Sequence, residues 1–150
     1  VVCGAGALPG ETAEERVIKT KRSDAVARME KLISQSEHRS KPPCEYYSRC
    51  GGCSLQHMSY PAQLAFKQQR IEDCFARIGG CEGIKIPDVQ PSQQTGYRNK
   101  AAFPLARGKD DIYISPFEKR IHRVVGVRKY KIQHASSASV IQAVRASAEI

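Results

Sequence analysis

The chain has 150 residues, of which 41% are hydrophobic and 26% are charged, and its formal net charge is +9. This composition excludes wholesale disorder, and no apolar run is long enough to span a membrane. The excess of Lys and Arg is typical of proteins that bind polyanions by neutralising phosphates, although a basic solvated surface would give the same count.

The first residues lack the charged start and the apolar stretch of a secretory signal, and the chain does not begin with Met. We therefore expect a soluble, cytoplasmic protein that is part of a longer polypeptide. Six cysteines in a chain of this length are too few for a disulfide scaffold. In a reducing compartment, closely spaced cysteines are better explained as metal ligands.

Glycine and proline residues punctuate the first ten positions and precede a run, residues 14–19, that predicts a short strand. The next run, residues 25–33, predicts a short helix capped by Ser23 and Asp24. A strand is the alternative for this run, because it is short enough to pair in a sheet.

Three cysteines then follow at a C-x5-C-x2-C spacing: Cys44, Cys50 and Cys53. Thiolates bind zinc and the irons of iron–sulfur clusters, and two thiolates only two residues apart can reach one centre if the backbone bends sharply. Gly51 and Gly52 predict this bend, since neither has a Cβ that would clash with the metal group or disfavour positive φ.

The spacing alone leaves three interpretations open. A zinc site would recruit His57 as its fourth ligand. A [4Fe–4S] cluster would take the three thiolates and one more cysteine from elsewhere in the chain. The third interpretation is three reduced cysteines without a metal.

The strongest helical pattern covers residues 61–78, where apolar residues recur at intervals of three, four and seven. Pro61 suits a first helical turn, and the glycine pair 79–80 suits the end of a helix. Cys74 lies in the apolar stripe and is interpreted as a small core residue.

The remainder of the chain predicts strands and a final helix. Residues 97–105 and 112–115 predict a β-hairpin joined by a turn at 108–111. Residues 121–127 predict a third strand beside it, and residues 139–148 predict the start of a helix.

Basic and aromatic residues alternate along the last third of the chain. Cations neutralise phosphates and aromatic rings stack on unpaired bases, so this pattern is typical of proteins that bind single-stranded or looped RNA. A solvated sheet face is the alternative. The cations are Arg98, Lys100, Lys119, Arg120, Arg123, Arg128, Lys129 and Lys131, and the aromatic residues are Tyr97, Tyr113, Phe117 and Tyr130.

The cysteine motif and its continuation resemble a known signature. The pattern reads Cys44-x5-Cys50-Gly-Gly-Cys53-Ser-Leu-Gln56-His57-x2-Tyr60-x2-Gln63-x3-Lys67. It is similar to that of the bacterial RNA uracil-C5 methyltransferases that carry a [4Fe–4S] cluster, the ribosomal 5-methyluridine enzymes. Further matches flank it: residues 6–11 and the Ser36-x2-Arg39 step before it, and residues 97–101, 132–134 and 144–145 after it.

The resemblance implies an α+β fold in two parts. Residues 1–43 would form a truncated TRAM domain, a partial OB-like β-barrel that binds RNA. Residues 44–150 would form a cluster-bearing central domain with the iron–sulfur loop, a helix and an antiparallel sheet. A C-terminal Rossmann-like methyltransferase domain would lie beyond residue 150.

The resemblance also implies a chemistry. Members of the family transfer a methyl group from S-adenosyl-L-methionine to C5 of a uridine in 23S rRNA after a cysteine attacks C6 of the base. Those groups would lie in the missing domain, so no catalytic or cofactor-binding residue is assigned in this chain, which would be inactive alone. It would act as a monomer that binds RNA and no membrane.

Within the resemblance, Cys44, Cys50 and Cys53 are the metal ligands, and Tyr97, Arg98, Asn99 and Lys100 are the RNA-binding residues. The family has its fourth ligand, a cysteine, three residues before the position of Gln133, and Tyr130 stands there in this chain. A phenolate is a poor substitute for a thiolate, and Cys3 or Cys81 would serve only if the fold brought one of them close.

The fourth ligand is therefore left open. The alternative to a methyltransferase segment is a non-catalytic RNA-binding module that holds zinc.

Overall fold

The computed structural model describes residues 2–108 and 112–148. Its first part is a three-stranded sheet of β1 (Val2–Ala5), β2 (Thr12–Thr20) and β3 (Ala25–Ser34). β3 lies in the centre, parallel to β1 and antiparallel to β2. The strand predicted over residues 14–19 is confirmed as part of the longer β2.

The helix predicted over residues 25–33 is wrong, and the alternative interpretation of this run as a strand is right. β3 pairs with a neighbour on each side, so its backbone amides and carbonyls find partners in two ladders. Ala27 on this strand is completely buried. Pairing with distant strands outweighs the local helical pattern here, as it commonly does for short runs.

The predicted long helix is confirmed in position, and its last turn differs from the rest. α1 spans Tyr60–Asp73, and a π-helical turn, Cys74–Ile78, continues it. Gly80 follows with a φ of +60°, the left-handed conformation that ends helices and that glycine adopts most easily. Cys74 is exposed and no residue of α1 is buried, so the interpretation of Cys74 as a core residue is wrong.

The predicted hairpin is confirmed in its second strand, whereas the first strand predicted over residues 97–105 overlaps the observed one only at residue 105. β4 (Leu105–Arg107) pairs antiparallel with β5 (Ile112–Ile114). Most of the turn predicted at residues 108–111 lies outside the described residues. The predicted third strand at 121–127 is wrong: this segment folds back as a tight loop, in which Glu118 N donates to Arg123 O over 2.7 Å.

The last element is α2 (Ala135–Ala148), which begins earlier than predicted. Ile141 of α2 packs on Ile112 and Ile114 of β5 to form the main core cluster. Phe103, Tyr130 and Ala148 pack against this cluster from its edge. The core therefore lies in the second part of the chain, beside the segment that carries Tyr130.

The architecture is mixed α+β, with two small sheets and two helices, as predicted at that level. Within residues 2–108 and 112–148 the sheets do not close into a barrel. No helix in these ranges is both long and apolar enough to cross a membrane.

Candidate metal centre and nucleic-acid interface

The cysteine loop, residues 44–53, is a series of tight turns fastened to residues 117–119. Within the loop, Cys50 N donates to Tyr46 O over 2.7 Å. Gly51 N then donates to Phe117 O over 2.9 Å, and Lys119 N donates to Arg49 O over the same distance. This short antiparallel bridge fixes the backbone from which the second and third cysteines project.

The glycine pair in the loop is required for a different reason from the one predicted. Neither Gly51 nor Gly52 has a positive φ. A Cβ on Gly51 would lie 3.0 Å from the carbonyl oxygen of Phe117, and one on Gly52 would lie 3.2 Å from Cγ of Pro116. Glycine is needed because the loop lies directly against the neighbouring backbone and ring.

Glu118 adds a charged clamp to the same junction. Its Oε1 lies 2.6 Å from Arg49 Nη2 and its Oε2 lies 2.6 Å from Arg123 Nη2. The carboxylate is 7% exposed, whereas the two arginine side chains are more than two-thirds exposed. Hydrogen bonds from Arg123 and Arg49 lower the pKa of Glu118, so this carboxylate stays ionised.

The three predicted metal ligands line one small cavity, which we call the cysteine cavity. Cys44, Cys50 and Cys53 are all free thiols and all half-buried. The cavity has a volume of about 60 Å³. The rest of its lining consists of Gly52, Gln56, Arg98, Phe103, Pro116, Val127, Lys129, Tyr130, Lys131, Ile132 and Gln133.

Polar atoms in the lining lack partners. The side-chain oxygens of Gln56 and Gln133 are buried, and each has no hydrogen-bond partner. The Gln56 amide already donates a hydrogen bond to Cys53. A half-turn of the Gln133 amide would present its NH₂ donors to the cavity, and donors of that kind satisfy thiolates or sulfides. Buried amide oxygens are normally satisfied, so the unpartnered oxygen of Gln133 marks an amide whose half-turn would place a donor beside three thiols.

Burial raises the pKa of the Cys53 thiol, while a hydrogen bond from Gln56 and the charge of Arg98 act in the opposite direction. The cations Arg98, Lys129 and Lys131 in the lining favour anionic ligands in the same way. The chemistry of the donor set therefore fits thiolate ligation at three positions.

In the described ranges, no group of three or more His, Cys, Asp or Glu side chains is arranged to hold a single metal ion. The cysteines share a cavity without converging on one point. A [4Fe–4S] cluster is held by thiolates on different irons, so its ligands stand farther apart than the four ligands of one zinc ion. The lack of a one-ion arrangement among the described residues is therefore compatible with a cluster.

His57, the fourth ligand in the zinc interpretation, does not line the cysteine cavity. It is 7% exposed, and its Nδ1 lies 2.5 Å from the hydroxyl of Tyr47. That hydroxyl donates to Ser54 O over 2.7 Å, so Nδ1 carries the hydrogen of the imidazole. Burial lowers the pKa of His57, and its neutral ring supports the loop from outside the cavity that the three thiols line.

Tyr130 lines the cysteine cavity with its hydroxyl already engaged. The hydroxyl donates to Ile114 O and also lies 3.0 Å from Val127 O. Burial raises the pKa of this phenol, so it stays protonated. Neither Cys3 nor Cys81 belongs to the cavity lining, so the described part of the chain brings neither of them to the fourth position.

A larger open cleft, which we call the cationic cleft, adjoins the cysteine loop. Its volume is about 1070 Å³. Lys119 Nζ lies 4.2 Å from the centre of the Tyr47 ring, a cation–π contact at the wall of the cleft. The basic and aromatic residues in the lining are Arg28, Arg39, His57, Lys119, Arg120, Tyr47 and Phe117.

Arg28, Arg39 and Tyr47 were missed from the sequence, because only the fold brings them beside Lys119 and Arg120. In the sequence, Arg28 is only one basic residue on β3, and nothing there indicates that it lines the cleft. Arg123 belongs to the predicted basic set, but its guanidinium is committed to Glu118.

The four predicted RNA-binding residues, Tyr97, Arg98, Asn99 and Lys100, are all exposed. Arg98 pairs through its backbone with residues 132–134: its N donates to Ile132 O, and His134 N donates to Arg98 O, each over 2.9 Å. Its side chain lines the cysteine cavity and also a second open cleft of about 790 Å³. Arg98 thus stands between the candidate metal centre and an accessible surface.

A second carboxylate joins the N-terminal sheet to the cysteine segment. Glu11 accepts hydrogen bonds from Arg39 Nε and, over 2.6 Å, from Arg39 Nη2, and the same Nη2 donates to Gly6 O over 2.6 Å. The Glu11 side chain is fully buried and that of Arg39 is 17% exposed. Hydrogen bonding from Arg39 lowers the pKa of Glu11 to about 2.

Comparison with known proteins finds relatives that are similar to most of this chain. No protein-family model matches the chain. The chain is 35% identical over 140 residues to an uncharacterized RNA methyltransferase of Halalkalibacterium halodurans, an alignment that covers 93% of this chain and 31% of the relative. It is also 35% identical over 138 residues to an uncharacterized RNA methyltransferase of Clostridium tetani, covering 91% and 30%.

A third relative, an uncharacterized RNA methyltransferase of Synechocystis, is 38% identical over 127 residues, which cover 83% of this chain and 27% of the relative. The chain thus spans about three tenths of the length of these relatives. Over the part that it shares with them, the chain is similar to proteins that carry the name RNA methyltransferase.

Proposed function

We propose that this chain is the RNA-binding and cluster-holding part of an S-adenosyl-L-methionine-dependent methyltransferase that forms 5-methyluridine in 23S rRNA. The relatives carry the name RNA methyltransferase, which supports methyl transfer to RNA by the whole protein. The uracil-C5 position, the ribosomal substrate and the cofactor come from the cysteine signature and are part of the proposal.

The observation that carries the proposal is the shared position of the three cysteines. Cys44, Cys50 and Cys53 line one cavity whose lining also includes two glutamine amides and three cations. When bound, a [4Fe–4S] cluster would cross-link the cysteine loop internally and stabilise its position against residues 127–133. The chain would hold it through these three thiolates.

RNA would bind on the accessible surfaces next to this centre. The cationic cleft combines guanidinium and ammonium groups with the rings of Tyr47 and Phe117. Such a surface neutralises phosphates and stacks on unpaired bases, which suits a looped rather than a fully paired RNA. Arg98 and Lys100 extend the basic surface beyond the cleft.

The N-terminal sheet is proposed to be part of an OB-like TRAM domain. Arg28 of β3 lines the cationic cleft, so this sheet would contribute directly to RNA binding. The chain is expected to transfer no methyl group by itself and to act as a monomer in the cytoplasm. Sequence beyond Ile150 that encodes a cofactor-binding domain with a catalytic cysteine would support this division of roles.

Two measurements test the proposal. Anaerobic reconstitution with iron and sulfide should yield a brown protein with visible charge-transfer absorption. A colourless product that holds stoichiometric zinc would instead favour a zinc-binding RNA module, and His57→Ala would then release the metal.

The second measurement is RNA affinity as a function of salt, by fluorescence anisotropy with a 23S rRNA hairpin. Arg98→Gln and Lys100→Gln should each weaken binding and reduce the salt slope by about one for each phosphate that the variant no longer neutralises. Lys85→Gln is the matched control, since Lys85 is exposed and lines neither the cysteine cavity nor the two open clefts. Unchanged affinity and slope in the first two variants would assign these residues to folding.

A further inference from the structure

The cysteine cavity is lined by three thiols. The side where a fourth ligand would lie is formed by residues of different chemistry. Within the described residues its lining contains Cys44, Cys50 and Cys53 and no other cysteine. Cys3 lies on β1, and Cys81 follows the helix and donates its thiol to Gly79 O. A group held by thiolates in this cavity therefore has three ligands from the described part of the chain.

Tyr130 is positioned as a structural residue. Its single hydroxyl hydrogen is directed to the backbone, where Ile114 O and Val127 O accept. Its ring stacks on Phe103, with the ring centres 5.2 Å apart and the planes inclined by 20°. Ligation through the phenol would require loss of that hydrogen, and the two backbone carbonyl groups would then have to find other donors.

The rest of the lining suits a small anion. Gln133 is 6% exposed, and its side-chain oxygen is buried without a partner. Gln56, which is half-buried, directs its amide donor to Cys53, while its own oxygen has no partner. Arg98, Lys129 and Lys131 add positive charge to the same lining. Amide donors together with cations stabilise thiolate, sulfide and similar anions.

We propose that the fourth coordination position of the site has no protein ligand and is an exchangeable binding site for a small thiolate, seated against the amides of Gln56 and Gln133. Tyr130 then closes the wall of the cavity without coordinating. This inference rests on the proposed function, because it takes an iron–sulfur cluster as the group in the cavity.

The open position has a chemical consequence. The iron without a protein thiolate is the one that oxidation releases, by [4Fe–4S]²⁺ → [3Fe–4S]⁺ + Fe²⁺ + e⁻. With ferricyanide as the oxidant, the electron released by the cluster reduces ferricyanide to ferrocyanide. Three cysteines are sufficient to hold the three-iron product.

The experiment compares the anaerobically reconstituted full chain with Tyr130→Cys and Tyr130→Phe. The readouts are iron per chain before and after stoichiometric ferricyanide, the EPR spectrum of the ferricyanide-oxidised sample, and the EPR spectrum of the reduced cluster with and without added 2-mercaptoethanol. The native chain and Tyr130→Phe should lose one iron in four, show the EPR signal of a three-iron cluster and respond to the thiol. Tyr130→Cys should keep all four irons and not respond.

The outcomes separate the two proposals. A native four-iron cluster that resists ferricyanide and ignores the thiol overturns the open position alone, as does loss of the cluster from a folded Tyr130→Phe. A native chain that holds zinc or no metal overturns the cluster and the open position together. If Tyr130→Cys does not fold, the native chain and Tyr130→Phe still decide, because the thiol response is measured on both.

Discussion

Two carboxylates fasten this chain at two junctions, and their arginine partners differ in exposure to water. Glu11 joins the N-terminal sheet to the cysteine segment through Arg39, whose side chain is 17% exposed. Glu118 joins the cysteine loop to residues 117–123 through Arg49 and Arg123, whose side chains are 67% and 69% exposed. Both carboxylates are buried, so the two junctions differ mainly in how exposed their arginine side chains are.

This difference in arginine exposure indicates which junction depends more on its ion pair for stability. An arginine inside the protein has lost most of its water, and removal of its carboxylate leaves an uncompensated charge. An arginine in solvent regains water when its partner is removed, so the same removal costs less. The N-terminal junction should therefore be the more sensitive of the two.

The largest expected effect is that of Glu11→Gln. The substitution keeps the size of the side chain but leaves Arg39 buried without a carboxylate, which should destabilise the chain by roughly 3–5 kcal/mol. Urea unfolding followed by circular dichroism measures it. Glu30→Gln is the matched control, because Glu30 pairs with Arg16 at an exposed site, with side chains 43% and 72% exposed. Its expected cost is about 0–1 kcal/mol. Equal losses in the two variants would contradict the buried role of Glu11.

The next effect is a dependence of stability on acid. The folded-state pKa of Glu11 is about 2, below its ordinary value of 4.5, so its contribution is fully present above pH 4.5. The contribution is lost as the pH falls from 4.5 toward 2, because the unfolded chain then binds the proton more tightly. Thermal unfolding across this interval should show a steeper decline for the native chain than for Glu11→Gln. Parallel curves for the two proteins would mean that another group controls the acid response.

The smallest effect is that of Glu118→Gln. Because Arg49 and Arg123 are exposed, we expect only a modest decrease in melting temperature and a larger local effect on the cysteine loop. The rate of alkylation of the loop cysteines by iodoacetamide in the metal-free chain should increase relative to the native rate. In 1 M salt, where the screening length is about 3 Å, the difference between native and variant melting temperatures should shrink. A decrease as large as that of Glu11→Gln would remove the distinction between the junctions.

The sequence predicted most reliably what depends on local patterns. The apolar spacing in residues 61–78 predicts α1. The C-x5-C-x2-C spacing predicts ligands of one metal group; the fold brings the three thiols to one cavity, and their ligation stays a prediction. The strand β3 was only the alternative prediction for its run, because its two ladders join it to residues distant in the sequence. The predicted strand at 121–127 failed because Glu118 and Arg123 close a tight loop there.

Other features of the site required the fold itself. Nothing in the sequence indicates that the amide oxygen of Gln133 is buried without a partner, since burial depends on packing around residues 97–133. The sequence places Tyr130 at the expected fourth position, but only the fold directs its hydroxyl to Ile114 O. Likewise, Arg28 joins the cationic cleft because β3 lies beside the cysteine loop.

The contact between Glu11 and Arg39 also bears on the order of folding. It joins residues 28 positions apart, and the segment between them contains the whole of the β2–β3 hairpin. Closing so long a loop is costly while it is flexible, and a formed hairpin shortens the path that remains to be closed. We therefore expect the ion pair to form late in folding, after the rate-limiting barrier. Loss of the pair should accelerate unfolding much more than it slows folding.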